Sequence, residues 1–375
     1  MSTDIVSVLL KGHEFPGVDG KELAQQIEAK EKCREKLPTW FDTPDIYYPN
    51  KLNIEQTSSE ITAKYKADIV SGNLLLDLTG GFGVDSYFFS HKVDRITHCE
   101  IDPELSEIAN HNFKALGRTN MDTHVGDGLS HLVHLRSRPD WIFIDPSRRN
   151  NAKGKVFLLS DCLPNVSENL DLILRSADHV MIKTSPLLDI SAGLKELRSV
   201  KEIHILSVRN EVKELLWILQ SGYQGEIAIK TTNLLPSGKE VFDFFMCDEK
   251  RAYPQYSAPL TYLYEPNSAI LKSGAFKLVG LRNGLYKLHE HSHIYTGETL
   301  TPFPGRRFKI EQRFSFNKKA IQDLGILKAN ITARNFPLTV AEIKKRFKIK
   351  DGGAEYLFFT TDEYDNKIIL RCSKA

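Results

Sequence analysis

Two periods of apolar and polar positions alternate along this chain. Short, nearly continuous apolar runs, LLLDL from residue 74, RITHCEI from 95, WIFID from 141, DHVMIKT from 178 and EIHILSV from 202, have the length and composition of strands buried on both faces. Between them, stretches such as ELSEIANHNF from residue 104 and EVKELLWILQ from residue 211 read as helices. The alternation therefore predicts an α/β domain around a largely parallel sheet. EIAIKTT and VFDFFMC, separated by NLLPSGKE, predict an antiparallel hairpin that closes it. Upstream, VDGKELAQQIEAKEKCREKL is rich in helix formers and stops at Pro38, and a second helix is expected from Ser58 to Val70. Downstream, the Pro- and Tyr-rich run RAYPQYSAPLTYLYEP marks a boundary near residue 250. Beyond residue 304, the strand patterns RRFKIEQRFSF, EYLFFTT and KIILRCS surround one helical pattern, TVAEIKKRF. The expected organisation is a helical region over 1–70, an α/β domain over 71–250, a small linking module over 251–304 and an α+β domain over 305–375.

The candidate chemistry sits at the carboxyl ends of these strands, where ligands bind in open α/β sheets. After LLLDL come Thr79, Gly80, Gly81 and Gly83, a loop whose missing side chains let a ligand approach the backbone. A dinucleotide fingerprint counted from Gly81 wants a third glycine where Ser86 stands, and the Asp77 carboxylate repels phosphate but suits an ammonium. Glu100 ends the second strand 19 positions after Gly81, where an acid can accept from both hydroxyls of a ribose, with Ile101 beside it. Asp102 followed by Pro103 is a helix cap. Asp127, in Gly-Asp-Gly, is either an acceptor for an adenine amino group or a turn residue. The fourth strand delivers Asp145, Pro146, Ser147, Arg148 and Arg149.

The ordered set DLTGGFG, CEIDP, GDG and DPSRR resembles the class I S-adenosylmethionine-dependent methyltransferases. The runs EQTSSEITAKYKA, DPSRR and PGRRFKIEQRFSFNKK resemble, more narrowly, a bacterial family of them with a C-terminal THUMP-like domain, and the similarity spans nearly the whole chain. That resemblance implies a Rossmann-like, seven-stranded class I sheet and S-adenosylmethionine as cofactor. It assigns Asp77, Thr79, Gly80, Gly81, Gly83, Glu100, Ile101 and Asp127 to the cofactor, and Asp145, Pro146 and Ser147 to catalysis. THUMP domains belong to RNA-modifying enzymes, so it also implies an RNA partner such as tRNA or rRNA. DPSRR departs from the DPPY and NPPY forms, which removes the aromatic side chain that stacks on a flipped base.

Charge sharpens that expectation. Residues 305–350 carry 13 Lys and Arg against three acids, a net of +10, while the rest of the chain nets −8. Arg306, Arg307, Lys344, Lys345 and Arg346 are the expected phosphate contacts, together with Arg148, Arg149 and Lys183 nearer the cofactor. Phe308, Phe314 and Phe316 interleave with these cations and read either as stacking platforms or as the core face of a strand. Lys183 is equally a strand-end cation, and Arg209, Asn210 and Glu211 are further candidates for substrate contact. The five cysteines are scattered without a C-x-x-C pair, so they are expected to be reduced thiols, with Cys162 a structural residue rather than a nucleophile. His289, His291 and His293 share one face of a strand but lack companion ligands, so no metal is expected. No apolar run reaches 18 residues and no basic leader precedes the first apolar stretch, which predicts a cytoplasmic protein without membrane contact.

Overall fold

The computed structural model describes residues 19–148, 158–317 and 325–375. Two compact units emerge, one formed by residues 1–201 with 216–224 and the other by 202–215 with 225–375.

The first unit begins with the helices Gly20–Lys36, Pro38–Asp42, Lys51–Gln56 and Glu60–Ala67. Pro38 ends the first by opening the next, where its missing N–H costs nothing. These helices are part of the unit's core rather than a separate region: Trp40 is fully buried and meets the Tyr87 ring edge-on at 4.9 Å. The strands β1 (Gly72–Asp77), β2 (Val93–Glu100), β3 (Met121–Val125), β4 (Trp141–Ile144), β7 (His179–Thr184) and β9 (Glu211–Gln220) lie in the order β9-β7-β4-β1-β2-β3. From β3 through β7 the strands pair in parallel. Two short segments, β5 (Ser147–Arg148) and β6 (Cys162–Leu163), pair separately. The helices Val84–Phe89 and Pro103–Ala115 follow β1 and β2, the second capped by Asp102 as expected.

In the second unit, β8 (Val200–Val208), β10 (Ala228–Leu235) and β11 (Gly238–Phe245) lie in the order β11-β10-β8. The expected helix at EVKELLWILQ is strand β9. Residues 214–219 are buried without interruption, which excludes a one-sided helix, and Arg209 and Asn210 have φ of 51° and 64°, the paired left-handed residues of a tight hairpin turn. Those two residues, expected as substrate contacts, make that turn: Asn210 N–H donates to Asn233, and its side chain accepts from Ser268 N–H. EIAIKTT and VFDFFMC do form an antiparallel hairpin, β10 with β11, but beyond β8 at the end of the order.

Residues 262–304, within the expected small linking module over 251–304, contribute three strands to a larger sheet. The strands β12 (Tyr262–Pro266), β13 (Tyr286–Lys287) and β14 (Tyr295–Gly297) join β15 (Gly305–Ser315), β16 (Lys328–Ala333), β17 (Lys350–Thr361) and β18 (Lys367–Lys374) in one seven-stranded sheet, ordered β13-β14-β12-β15-β18-β17-β16. The predicted C-terminal helix is Val340–Phe347, opened by a capping box between Thr339 and Glu342. Phe308 lies in one core cluster of this sheet, and Phe314, Phe316 and Phe347 pack on another, so the interleaved aromatics are core residues.

No helix among the described residues is long and apolar enough to cross a membrane.

Candidate functional site

Parallel pairing brings the ends of β1, β2 and β4 to one edge of the first unit, and the loops leaving them are stitched together by backbone bonds. Leu78 N–H donates to Phe143 O, Gly80 N–H to Cys99 O and Gly126 N–H to Glu100 O. Gly80 is glycine because a Cβ there would stand 2.2 Å from the buried His98 ring. Burial pushes that imidazole down to about 4, so it is a neutral wall against the loop. Gly81 and Gly83 have φ of 57° and 84°, which L side chains adopt with strain, and a Cβ on Gly81 would meet nothing within 4 Å. The loop therefore presents bare backbone to open space.

Asp77, expected beside an ammonium, is only 1 % exposed. Its oxygens accept from Thr79 N–H at 3.0 Å and Ser86 Oγ at 2.5 Å. Ser86, the residue in place of a third glycine, thus fastens the helix Val84–Phe89 back onto the strand. Burial raises the Asp77 carboxyl to about 7. The Thr79 hydroxyl accepts from Asp145 N–H at 2.7 Å, tying the glycine loop to the end of β4.

Glu100 accepts Gly81 N–H at 2.8 Å on one oxygen and Asp102 N–H at 2.9 Å on the other. Each oxygen retains a lone pair. Ile101, next in the chain, is a 73 % exposed apolar side chain. Asp127 is exposed and caps the helix Gly128–Val133, accepting from Leu129 N–H, Ser130 N–H and Ser130 Oγ, so its turn role is realised. These features fit S-adenosylmethionine. Two carboxylate oxygens already oriented by backbone N–H groups are free to accept ribose hydroxyls, an exposed apolar side chain adjoins them for adenine, and the bare backbone at Gly81 leaves room for the methionine part.

At the end of β4 the Asp145 carboxylate is paired with the Lys183 ammonium from β7. Lys183, expected among substrate contacts, instead points into the protein and also donates to Ser58 Oγ at 3.2 Å. Ser58 is buried, accepts from the fully buried Lys66 at 3.1 Å and donates to Asp85 at 2.7 Å. Lys66 lies 3.2 Å from the other Asp85 oxygen. Lys183, Lys66 and Asp85 thus meet around one hydroxyl, with Asp145 joined through Lys183, which satisfies charges that burial would otherwise make costly. Ser58, Lys66 and Asp85 were not picked out as functional residues. The signal was the run EQTSSEITAKYKA, whose Ser and Lys fall eight positions apart, two turns along a helical segment.

Pro146 is buried, Ser147 is exposed and Arg148 is half-buried in β5, while Arg149 lies outside the described residues. Cys162 is fully buried, with its thiol pushed up to about 11 by burial. That is the wrong direction for a nucleophile.

In the second unit, the expected phosphate contacts divide. Arg306 pairs with Glu265, as does Arg334, while Arg313 pairs with the fully buried Asp362. Lys344 pairs with Asp351 at 3.0 Å. Lys345, Arg346, Lys348 and Lys350 are exposed, and Arg307 is half-buried. His289 lies 3.0 Å from Asp365, and among the described residues no group of three or more His, Cys, Asp or Glu could hold a metal ion.

Comparison with known proteins matches this architecture along its length. Residues 262–304 match a family model described as a ferredoxin-like domain, and residues 305–374 match one described as THUMP domain-like. A crystal structure of a proposed methyltransferase from Porphyromonas gingivalis W83 is 33 % identical, covers all of this chain and 95 % of its own, and superposes with a TM-score of 0.91. An uncharacterized S-adenosylmethionine-dependent methyltransferase of Mycobacterium tuberculosis is 25 % identical over 302 residues, 79 % of this chain and 80 % of that protein. With that overall superposition and the strand-end geometry above, the chain belongs to the class I S-adenosylmethionine-dependent methyltransferases that carry a C-terminal THUMP-like domain.

Proposed function

We propose that this methyltransferase acts on RNA, at a nitrogen of a base. The observation that carries the reading is the set of exposed cations, Lys345, Arg346, Lys348 and Lys350, on the domain that matches the THUMP-like model. A small-molecule enzyme has no use for that surface. Arg306 and Lys344 drop out as leading contacts because each already has an acid partner.

In the first unit, Glu100 would accept from both ribose hydroxyls of S-adenosylmethionine, and Ile101 would cover one face of its adenine, with Asp127 accepting from the amino group. Asp77 would shape the loop from within rather than touch the ligand. When bound, the cofactor supplies an electrophilic methyl group on sulfur. Asp145, held by Lys183 on one side and by its own N–H to Thr79 on the other, would accept the N–H of the attacking base nitrogen. The new N–C bond would form as the methyl–sulfur bond breaks and the sulfur departs as a neutral thioether, and the proton lost from the nitrogen would pass to that carboxylate. Pro146 and Ser147 would complete the edge of the acceptor pocket, and Arg148 would face a substrate phosphate.

Mass spectrometry of nucleosides from a strain lacking the gene tests the reading. One methylated nucleoside should be missing and should return on complementation. An unchanged set of nucleosides would shift the assignment to protein or small-molecule methylation.

A further inference from the structure

The aromatic side chains of the basic segment are committed to its core, yet the second unit leaves other aromatics open. Tyr253 is 86 % exposed and Tyr256 is 43 % exposed, both in the RAYPQYSAP run. They line a cavity of about 370 Å³ together with Phe276, Lys277, Lys287 and His293. The tyrosine-bearing segment is fastened in place: Lys287 N–H donates to Gln255 O at 2.8 Å, Ser257 N–H donates to Lys287 O at 3.1 Å, and Tyr256 bridges Lys287. One wall of the cavity is therefore preformed.

The opposite wall is polar in an unsatisfied way. The His293 ring stacks on Phe276 with centroids 3.6 Å apart and an interplanar angle of 17°. Its Nδ1 is buried and has no hydrogen-bond partner. Burial holds this imidazole down to about 4, so it is neutral and offers one donor and one acceptor. Lys287 is 2 % exposed, and its ammonium donates to Glu290 O at 2.8 Å, which leaves it further protons to donate. Two acids, Glu249 and Glu290, also line the cavity. Both Glu249 oxygens accept backbone N–H groups at Lys277 and Leu278, and the Glu290 carboxylate lies 3.9 Å from His291.

The chemistry that fits is flat, aromatic and edged with carbonyl or ring-nitrogen acceptors. A purely apolar guest would leave His293 Nδ1 without a partner and bring no acceptor to the remaining Lys287 protons. We propose that this cavity takes one unstacked nucleotide of single-stranded RNA, its base against Tyr253 and Tyr256, its polar edge toward Lys287 and His293, and its phosphate toward Lys277. The site is distinct from the cofactor edge of the first unit. Its biological sense rests on the RNA reading above, and it would be the place where the enzyme grips a nucleotide it does not methylate.

The test uses the full chain and fluorescently labelled pentaribonucleotides of each base, followed by anisotropy, with cofactor calorimetry as the control for folding. Tyr253 is exposed, so its replacement leaves the core intact. Tyr253→Ala should weaken binding of at least one pentamer roughly five- to hundredfold, the loss of one base–aromatic stack, while Tyr253→Phe stays within about twofold of wild type. A pentamer carrying 5-iodouridine should crosslink, on irradiation, to the peptide containing Tyr253 or Tyr256. Pentamers that bind wild type and Tyr253→Ala equally well would overturn the site and leave the RNA reading standing. A wild-type chain that binds no pentamer and no longer RNA would overturn both.

Discussion

Glu100 and Glu265 are glutamates at strand ends in different units, and their surroundings set different tasks. Glu100 accepts two backbone N–H groups, from Gly81 and Asp102. Those donors take one lone pair from each oxygen and leave a spare one on each. Glu265, 4 % exposed on β12, accepts instead from the guanidiniums of Arg306 and Arg334. Its charge is matched within the fold, and it ties β12 to Arg306 on β15 and to Arg334, the residue after β16. An acid held by amides remains available to a ligand, whereas an acid enclosed by guanidiniums is part of the framework. The cations show the same division, since a count of Lys and Arg over residues 305–350 does not separate Arg306, already paired, from Lys345, which is exposed.

The largest effect should come from the framework acid. Glu265→Ala strands two guanidiniums that are partly open to solvent, and should lower stability in urea by on the order of 2 to 4 kcal/mol, short of the loss for a fully buried pair. Cofactor affinity, by calorimetry, should be unchanged; a stability equal to wild type would erase the contrast. Glu100→Ala should do the reverse, costing on the order of 1.5 to 3 kcal/mol of cofactor binding with little change in the urea midpoint. A cofactor affinity equal to that of the wild type would mean that Glu100 only braces the loop.

Asp77 sharpens the comparison through pH. Its carboxyl is raised by burial from the ordinary value of 3.8 to about 7, so the folded chain holds that proton more tightly than the unfolded chain does. The contribution of this site is then most favourable below about pH 4 and is lost as pH rises to about 7. Asp77→Asn should flatten that part of the stability profile between pH 4 and 7, seen as a difference in urea midpoints measured across the range. An identical slope in both proteins would show that the carboxyl is not protonated in the fold. The smallest effect belongs to the exposed cations. Lys345→Ala and Arg346→Ala should each reduce the slope of log K for RNA against log salt by about 0.7, whereas Arg306→Ala should leave that slope unchanged while lowering stability.

The strand-end acids were legible in the sequence because position at the end of a buried run is a local property: Asp77, Glu100, Asp127 and Asp145 all lie at or just beyond the ends of β1 to β4. What each acid touches was not legible. The partner of Asp145 is Lys183, 38 positions away on β7, and the partner of Lys66 is Asp85, contacts that only the folded sheet and its first helices create. The misread of EVKELLWILQ has a local cause. LLWIL suits a buried helix as well as a buried strand, and the deciding residues were Arg209 and Asn210, whose left-handed backbone makes the tight turn into β9. In the second unit, residues 262–304 escaped assignment because β13 and β14 span two and three residues, too short for a periodic signal.

The most direct test of the account is transfer of a labelled methyl group from S-adenosylmethionine to RNA prepared from cells lacking the gene, measured for wild type and Asp145→Asn alongside their cofactor affinities. The account predicts label in the RNA with the wild type, and turnover lower by roughly a hundredfold in Asp145→Asn with cofactor affinity within about threefold. Label appearing in protein or small molecules instead of RNA, or equal turnover by the two proteins, would contradict it.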